Sequence, residues 1–493
     1  MLKKIVSCVL FFHVAMLPVC ADINWTVTTP APMTATPNTV NENVSSSFDP
    51  TTGRSLAVWV DTGNGRKPTY SFYTPGTGSG SGWSAPVALD SAMASSDDVF
   101  SACNPSTGEI MATWAVGNVP TYSIYTPGMG WSPTVEQIPT ASTVPPSYNV
   151  TVSFNSITGK FLAVWTNNTP LYPTYAFYTP NVGWETSTIS TNMTYQVEGN
   201  VFSVSNSING TTMAAWSDLD SSFPVYSTYT GTGPWSDPAY ITDSILFQNV
   251  YLSFNSITGQ TLATWTDNTG TSFPTSYLYT PSSPSAGSWS SSPITFPGTT
   301  QPYRDVTSGF DPVTGQFLAV WSDMNNSFQV TYSFYTDGSW GDPATISNSS
   351  ESTATENVFV SYDSLTGQFL ATWATNAGDP NHLPFYSFFD GPAPPPPNPT
   401  TPAAPASFSG RVINNHFLAQ TDRVNKLSWI PANDPTITSY VLRRNGVLVY
   451  MAPAAGPYTY EDHNRKKNVT YVYTLTSKNQ NGVESAPLTV TLE

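Results

Sequence analysis

The sequence predicts an all-β protein, and three observations carry that expectation. One hairpin motif recurs seven times, at intervals of 49 to 56 residues. Aromatic residues make up 13% of the chain and charged residues only 10%, with 32 glycines and 44 prolines to punctuate short strands. Finally, the repeating unit is divided between the two ends of the array. A ring closed on itself explains that division, because it buries both exposed strand edges.

The motif reads "SFDPTTGRSLAVW", "ACNPSTGEIMATW", "SFNSITGKFLAVW", "SVSNSINGTTMAAW", "SFNSITGQTLATW", "GFDPVTGQFLAVW" and "SYDSLTGQFLATW", with glycines at Gly53, Gly108, Gly159, Gly210, Gly259, Gly315 and Gly367. Four residues earlier stands Asp49, Asn104, Asn155, Asn206, Asn255, Asp311 or Asp363. These suit the first position of a type I turn, and the glycine accepts the left-handed conformation that closes a bulged hairpin. Beyond the turn, Ala57, Ala112, Ala163, Ala214, Ala263, Ala319 and Ala371 recur in every copy, as do Trp59, Trp114, Trp165, Trp216, Trp265, Trp321 and Trp373. A strand apolar on both faces is covered on both faces.

A third strand follows, as in "PTYSFYTP", and then a fourth carrying a second tryptophan: Trp83, Trp131, Trp184, Trp235, Trp289 and Trp340. The seventh copy runs from "PFYSFFDG" into "PAPPPP" without a fourth strand, and "NWTVTTPAP" with Trp25 near the N-terminus resembles the missing one. The arrangement resembles the strand-sharing closure of β-propellers, and implies a seven-bladed β-propeller over residues 22–391. Residues 1–21, with Lys3 and Lys4 before an apolar run and Ala21 at the cleavage position, read as a signal peptide of bacterial type. Val19, where lipoprotein signals carry a small residue, argues against lipidation at Cys20. No later run is long and apolar enough for a transmembrane segment, so the mature protein is expected to be exported: secreted, periplasmic or held at the cell surface.

Residues 392–406 form a Pro-rich linker, an extended spacer of about 3 Å per residue. Residues 407–493 resemble a fibronectin type III β-sandwich, with Trp429, Tyr440 and Leu442 on successive strands and Tyr471 as the tyrosine corner ahead of Tyr473 and Leu475. Cys103 is the one cysteine beyond the leader, which excludes a disulfide framework. It replaces an aromatic residue of other copies and reads as a buried, inert thiol.

Charge narrows the partners. Residues 22–391 carry 26 acidic and five basic residues, a net of −21, and residues 392–493 carry nine basic and six acidic, a net of +3. Nucleic acid and anionic membrane are disfavoured, leaving neutral glycans, cations and proteins. The motif loosely resembles the sialidase Asp-box, S-x-D-x-G-x-T-W, but glycine and tryptophan lie six positions apart here instead of three. That resemblance implies an arginine triad, whereas Arg54, Arg66 and Arg304 are the available arginines, with Arg54 beside a hairpin turn and away from the other two. His382 is the lone histidine of residues 22–391 and reads as an exposed loop residue. A catalytic centre should break the sevenfold symmetry, and no such break carries a catalytic constellation.

Two repeated polar sets remain as ligand-binding candidates. Ten residues before each glycine stands Asn43, Asp98, Asn149, Asn200, Asn249, Asp305 or Asn357, always followed by valine. These seven form a ring at one mouth, either satisfying backbone groups at the strand starts or offering oxygens to a cation, water or polar ligand. Two residues past the motif tryptophan stand Asp61, Asn167, Asp218, Asp267 and Asp323, in loops that also carry Tyr172, Phe223, Phe273 and Phe328. Acid beside aromatic suits sugar recognition, since the ring stacks on apolar sugar faces and the oxygens accept from hydroxyls; alternatively the aromatics fill gaps between sheets. The oxygen-rich runs "DTGNG" and "DLDSS" lack EF-hand spacing, so Ca2+ is only weakly indicated and no cofactor is expected. The leading expectation is a monomeric, non-enzymatic binding or adhesion protein for a glycan or extracellular protein. A propeller-fold glycoside hydrolase and a structural cell-envelope protein are the alternatives.

Overall fold

The computed structural model describes residues 30–33 and 40–493, apart from 77–81, 91, 93, 96–97, 118, 140–148, 169–170, 186–187, 190–194, 271, 284–285, 347–352, 355, 376–381, 391–401, 418–419, 433, 435–436 and 480–482. The leader, Trp25 and most of the Pro-rich linker therefore lie outside the described residues. Among the described residues the chain is all-β, relieved only by two single 3-10 turns, Thr62–Asn64 and Met324–Asn326. It divides into two compact units, residues 1–394 and 395–493, with the division inside the expected linker.

Among its described residues the first unit contains seven antiparallel sheets built in sequence order. Sheet 1 is Val40–Asp49, Arg54–Asp61 and Lys67–Thr74, with Gly82–Trp83 and Val87–Ala88 as two short outer pieces on the same third strand. The hairpins turn where the motif places them, because all seven motif glycines have φ between 69° and 79°. The preceding Asn or Asp closes each turn: Asn155 Oδ1 accepts from the backbone of Ile157 and Thr158, both at 3.1 Å, and Asp363 Oδ1 from Leu365 at 2.8 Å and Thr366 at 3.0 Å. The asparagines also reach onward, since Asn155 Nδ2 donates to the Gly210 carbonyl of the next turn at 2.8 Å.

Sheet 7 is Phe359–Asp363, Gln368–Ala374 and Pro384–Asp390, and its fourth strand is Ala31–Pro32. Ala31 faces Tyr386, Pro32 faces Phe385, and the Met33 amide donates to the Pro384 carbonyl at 2.9 Å. One expectation needs correcting. In sheet 4 the fourth strand is Ala239–Tyr240, and Trp235 lies outside it.

Burial on both strand faces has a simple cause. The Ala/Trp face of each second strand packs on the Leu/Val face of the preceding sheet: Ala112 and Trp114 against Leu56 and Val58, Ala214 and Trp216 against Leu162 and Val164, Ala371 and Trp373 against Leu318 and Val320. Alanine lets the sheets approach, and tryptophan fills the widening wedge. All seven motif tryptophans are fully buried. Ala57 and Trp59 of sheet 1 pack with Met33 and Ala374 of sheet 7, and Thr372 Oγ1 donates to the Val44 carbonyl at 2.7 Å. The outer tryptophans repeat the joint further out, with Tyr70–Trp131, Tyr122–Trp184, Tyr226–Trp289 and Tyr386–Trp83 ring centroids 5.1 to 5.4 Å apart.

The second unit has a three-stranded sheet (Ser407–Phe417, Gln420–Ile430, Thr459–Asp462) and a four-stranded one (Val447–Pro453, Ile437–Arg444, Tyr471–Asn479, Leu488–Leu492). Trp429, Tyr440, Leu442, Tyr473 and Leu475 meet in one core. The Tyr471 hydroxyl accepts from the Lys466 amide at 3.1 Å, tying the start of its strand to the chain five residues upstream.

Candidate functional site

At one end of the seven sheets, first strands start, second strands end and third strands start, so the loops there gather both candidate sets. The ring residues bond to one another from sheet to sheet. The amide of Asp98 donates to Asn149 Oδ1 at 2.7 Å, that of Asn149 to Asn200 Oδ1 at 3.1 Å, that of Asn200 to Asn249 Oδ1 at 2.8 Å, and that of Asp305 to Asn357 Oδ1 at 3.0 Å. Asn249 donates its own amide to Asp305 Oδ1 at 3.3 Å. Asn149, Asn200, Asn249, Asp305 and Asn357 thus supply the acceptor that a neighbouring strand start lacks.

This bonding also accounts for which positions are acidic. An asparagine whose oxygen is taken by a backbone amide still has an Nδ2 donor to satisfy. Asp98 Oδ2 accepts from Asn43 Nδ2 at 2.5 Å and from Asn149 Nδ2 at 3.2 Å, and Asp305 Oδ2 accepts from Asn249 Nδ2 at 2.6 Å. Burial pushes the Asp305 carboxyl up to about 6, against the pull of the Asn249 and Asn357 hydrogen bonds and the nearby Arg304 charge. Two residues further along the first strands, Phe100, Phe202, Tyr251 and Phe359 meet on one another and fill the space beneath the ring. Asn357 Nδ2 donates to the Tyr251 hydroxyl at 3.4 Å, and burial raises that phenol well above its ordinary range.

The second set shapes loops. Asp61 Oδ1 accepts from the Asn64 amide at 3.2 Å, Asp323 Oδ1 from Asn325 at 3.1 Å and Gln301 at 3.0 Å, and Asp267 Oδ1 from Thr269 at 2.7 Å. Burial raises the Asp61 and Asp323 carboxyls, and these backbone bonds oppose it. Asp218 Oδ2 accepts from the Ser221 amide at 3.2 Å, the Ser221 hydroxyl at 2.6 Å and the Tyr240 hydroxyl at 3.2 Å, while its Oδ1 is buried without a partner among the described residues. Asn167 instead donates its backbone amide to Tyr172 at 2.9 Å.

Asp218, Asp267 and Asp323 therefore each fix a turn ahead of an aromatic residue, Phe223, Phe273 and Phe328, whereas the Asp61 turn carries none. Ser222 and Ser327 adopt φ of 54°, and Phe328 itself φ of 62°, a strained value for a bulky side chain. Phe223 lies edge-on to Tyr240 at 5.3 Å, and Tyr195 meets the same ring at 4.7 Å. Phe328 stands perpendicular to Tyr303 at 4.9 Å, and the Arg304 guanidinium covers Tyr303 at 5.2 Å while pairing with Glu356 at 3.1 Å. Tyr172 is buried, and Phe273 is exposed. Sequence reasoning missed Tyr195, Tyr240 and Tyr303, because they occupy loops and an outer strand whose spacing drifts between copies.

Other candidates are held apart. Arg54 stacks over Phe72 at 4.0 Å and donates to the Tyr125 hydroxyl at 3.2 Å beside a hairpin turn, and Arg66 donates to the Ser95 carbonyl at 3.2 Å in a loop of the opposite end. With Arg304 on Glu356, the three arginines do not converge. His382 is half-buried where an exposed residue was expected. The Cys103 thiol is pushed up by burial and by the Asp49 charge, so it stays protonated. Among the described residues no cluster of three His, Cys, Asp or Glu side chains is poised for a metal, and no helix is long and apolar enough to cross a membrane.

No protein-family model and no curated protein matches the chain. In structure it is similar to AofleA from Arthrobotrys oligospora, with a TM-score of 0.42 at 8% identity over 64% of this chain and 88% of that one. It is also similar to the β-propeller domain of the Trilobed protease from Pyrococcus furiosus, with a TM-score of 0.42 at 9% identity over 71% of this chain and 96% of that one.

Proposed function

We propose that the first unit is a seven-bladed β-propeller closed by its N-terminal strand, that the second is a fibronectin type III domain, and that the chain is an exported, non-enzymatic binding protein. The propeller reading is supported by seven like-built sheets joined in cyclic order, with Thr372 bonded to Val44 across the ends of the array. The three-plus-four sheet pairing and the Tyr471 hydrogen bond support the second.

One observation carries the binding role. At a single mouth, buried acids are spent on holding aromatic side chains in fixed positions, which is how a rigid scaffold presents a recognition surface. The ligand is a glycan or an extracellular protein, met through these loops, with the second unit as spacer or additional adhesive module. Probing the purified full chain on a glycan array and in pull-downs from extracellular extracts, beside a panel of chromogenic glycosides, tests the reading. Saturable, non-hydrolytic binding is the expected result. Turnover of a glycoside, with no stable binding, overturns it.

A further inference from the structure

Resting on that reading, we propose that the Tyr240 platform of sheet 4 is a subsite for a neutral hexopyranose unit of a glycan. Tyr240 ends the outer strand Ala239–Tyr240 opposite Val225, which brings it to the loop-bearing end of the sheet. It is 39% exposed, yet it is held on three sides. Tyr195 meets its ring at 4.7 Å and 72°, Phe223 at 5.3 Å and 78°, and its hydroxyl donates to buried Asp218 at 3.2 Å.

An exposed tyrosine on a free surface retains rotamer freedom, and immobilising it costs entropy. Here that entropy is removed before any ligand arrives, which lowers the cost of stacking against the ring. Two exposed apolar residues stand on the segments that hold the ring: Leu219, 37% exposed, donates its amide to the Gln196 carbonyl beside Tyr195 at 2.9 Å, and Ile245, 40% exposed, precedes Leu246, whose amide donates to the Ser222 carbonyl beside Phe223 at 2.9 Å. In the loop that carries Asp218, the Ser222 hydroxyl donates to Glu198 at 3.1 Å, and Asp220 is exposed. An apolar plate rimmed by hydrogen-bond acceptors matches the C–H face of a pyranose and its equatorial hydroxyls.

Charge then selects within the sugars. With Asp218, Asp220 and Glu198 in these loops, within residues 22–391 whose net charge is −21, uronic and sialic acids are repelled and neutral hexoses are not. The comparable aromatic pair of sheet 6 does not offer the same plate, because Arg304 already covers Tyr303.

The test is calorimetric titration of the full chain with neutral gluco-, manno- and galacto-oligosaccharides and with oligogalacturonate. A neutral oligosaccharide is expected to bind, Tyr240→Ala to weaken it about tenfold, and Tyr240→Phe to stay within about threefold, since stacking survives loss of the hydroxyl. Leu219→Glu and Ile245→Glu, at exposed positions that leave folding intact, are each expected to weaken it as well. Glycan binding that all four variants leave unchanged overturns the subsite and spares the binding function. Preference for oligogalacturonate overturns the neutral-sugar assignment. Absence of any glycan binding, alongside capture of an extracellular protein, overturns the subsite and leaves the broader reading standing.

Discussion

Asp305 shows how one side chain couples the ring to pH. It is buried, accepts from Asn249 through both side-chain and backbone groups, and has its carboxyl raised to about 6 from an unfolded value near 4. Between those values the folded state holds a proton that the unfolded state has released. Stability from this group is therefore present at low pH and falls as pH rises from about 4 to 6. Asp305→Ala removes the titration. The stability difference between wild type and variant should shrink with rising pH by about 1.4 kcal/mol per unit, on the order of 3 kcal/mol across the window. Denaturant unfolding at pH 4, 5, 6 and 7 measures it, and a difference independent of pH would mean that Asp305 titrates as an exposed acid does. The alternation of the ring was legible as polarity alone. That Asp98 and Asp305 are acids because flanking asparagine amides need acceptors emerges only from the bonds.

At the level of strands, what the sequence makes legible is what is local. The seven hairpins could be read because turn closure depends on Asn or Asp and glycine a fixed four residues apart, within one stretch of chain. The two-faced second strands could be read because alanine and tryptophan recur at fixed offsets. The fourth strands were harder: they are two-residue pieces on a third strand, and in sheet 4 the tryptophan signal and the paired residues part company. Tyr240 escaped notice for the same reason, being an outer-strand residue with no counterpart at fixed spacing. The pairing of Ala31–Pro32 with sheet 7 joins residues more than 350 positions apart, and its removal should act locally. Deleting residues 22–33 takes away the Met33 amide bond to Pro384 and the Met33 side chain packed against Trp59 and Ala374. It also bares the Pro384–Asp390 edge. Backbone amides of Phe385 to Phe389 should then exchange faster by at least tenfold, with those of Thr212–Asp218 in sheet 4 little changed. Uniform acceleration over all seven sheets would show instead that this strand holds the entire ring.

For the whole molecule, the two units should answer acid differently, and the tryptophans allow them to be watched separately. Residues 395–493 contain one tryptophan, Trp429, buried against Tyr440 and Tyr458 in a core of their own. The fragment 402–493 should accordingly fold alone and show a single cooperative red shift of Trp429 emission on unfolding. Tyr471→Phe, which deletes the acceptor for the Lys466 amide, should lower its stability by about 1 kcal/mol. Arg443 grips Glu484 through two bonds of 2.6 and 2.7 Å, and this partner, helped by the Thr476 hydroxyl, holds the Glu484 carboxyl down at about 2. A depressed carboxylate contributes fully above its unfolded value and loses that contribution progressively as pH falls from there through its folded one. So the ion pair persists through the window in which Asp305 takes up its proton. Lowering the pH of the intact chain from 7 to 4.5 should raise the unfolding midpoint of the larger unit, relieved of net negative charge and of the ionised Asp305, and leave the smaller unit's midpoint nearly fixed. Calorimetric scans of the full chain, with the smaller unit's transition assigned from the 402–493 fragment, decide this; a parallel shift of both transitions would show that the units do not unfold independently.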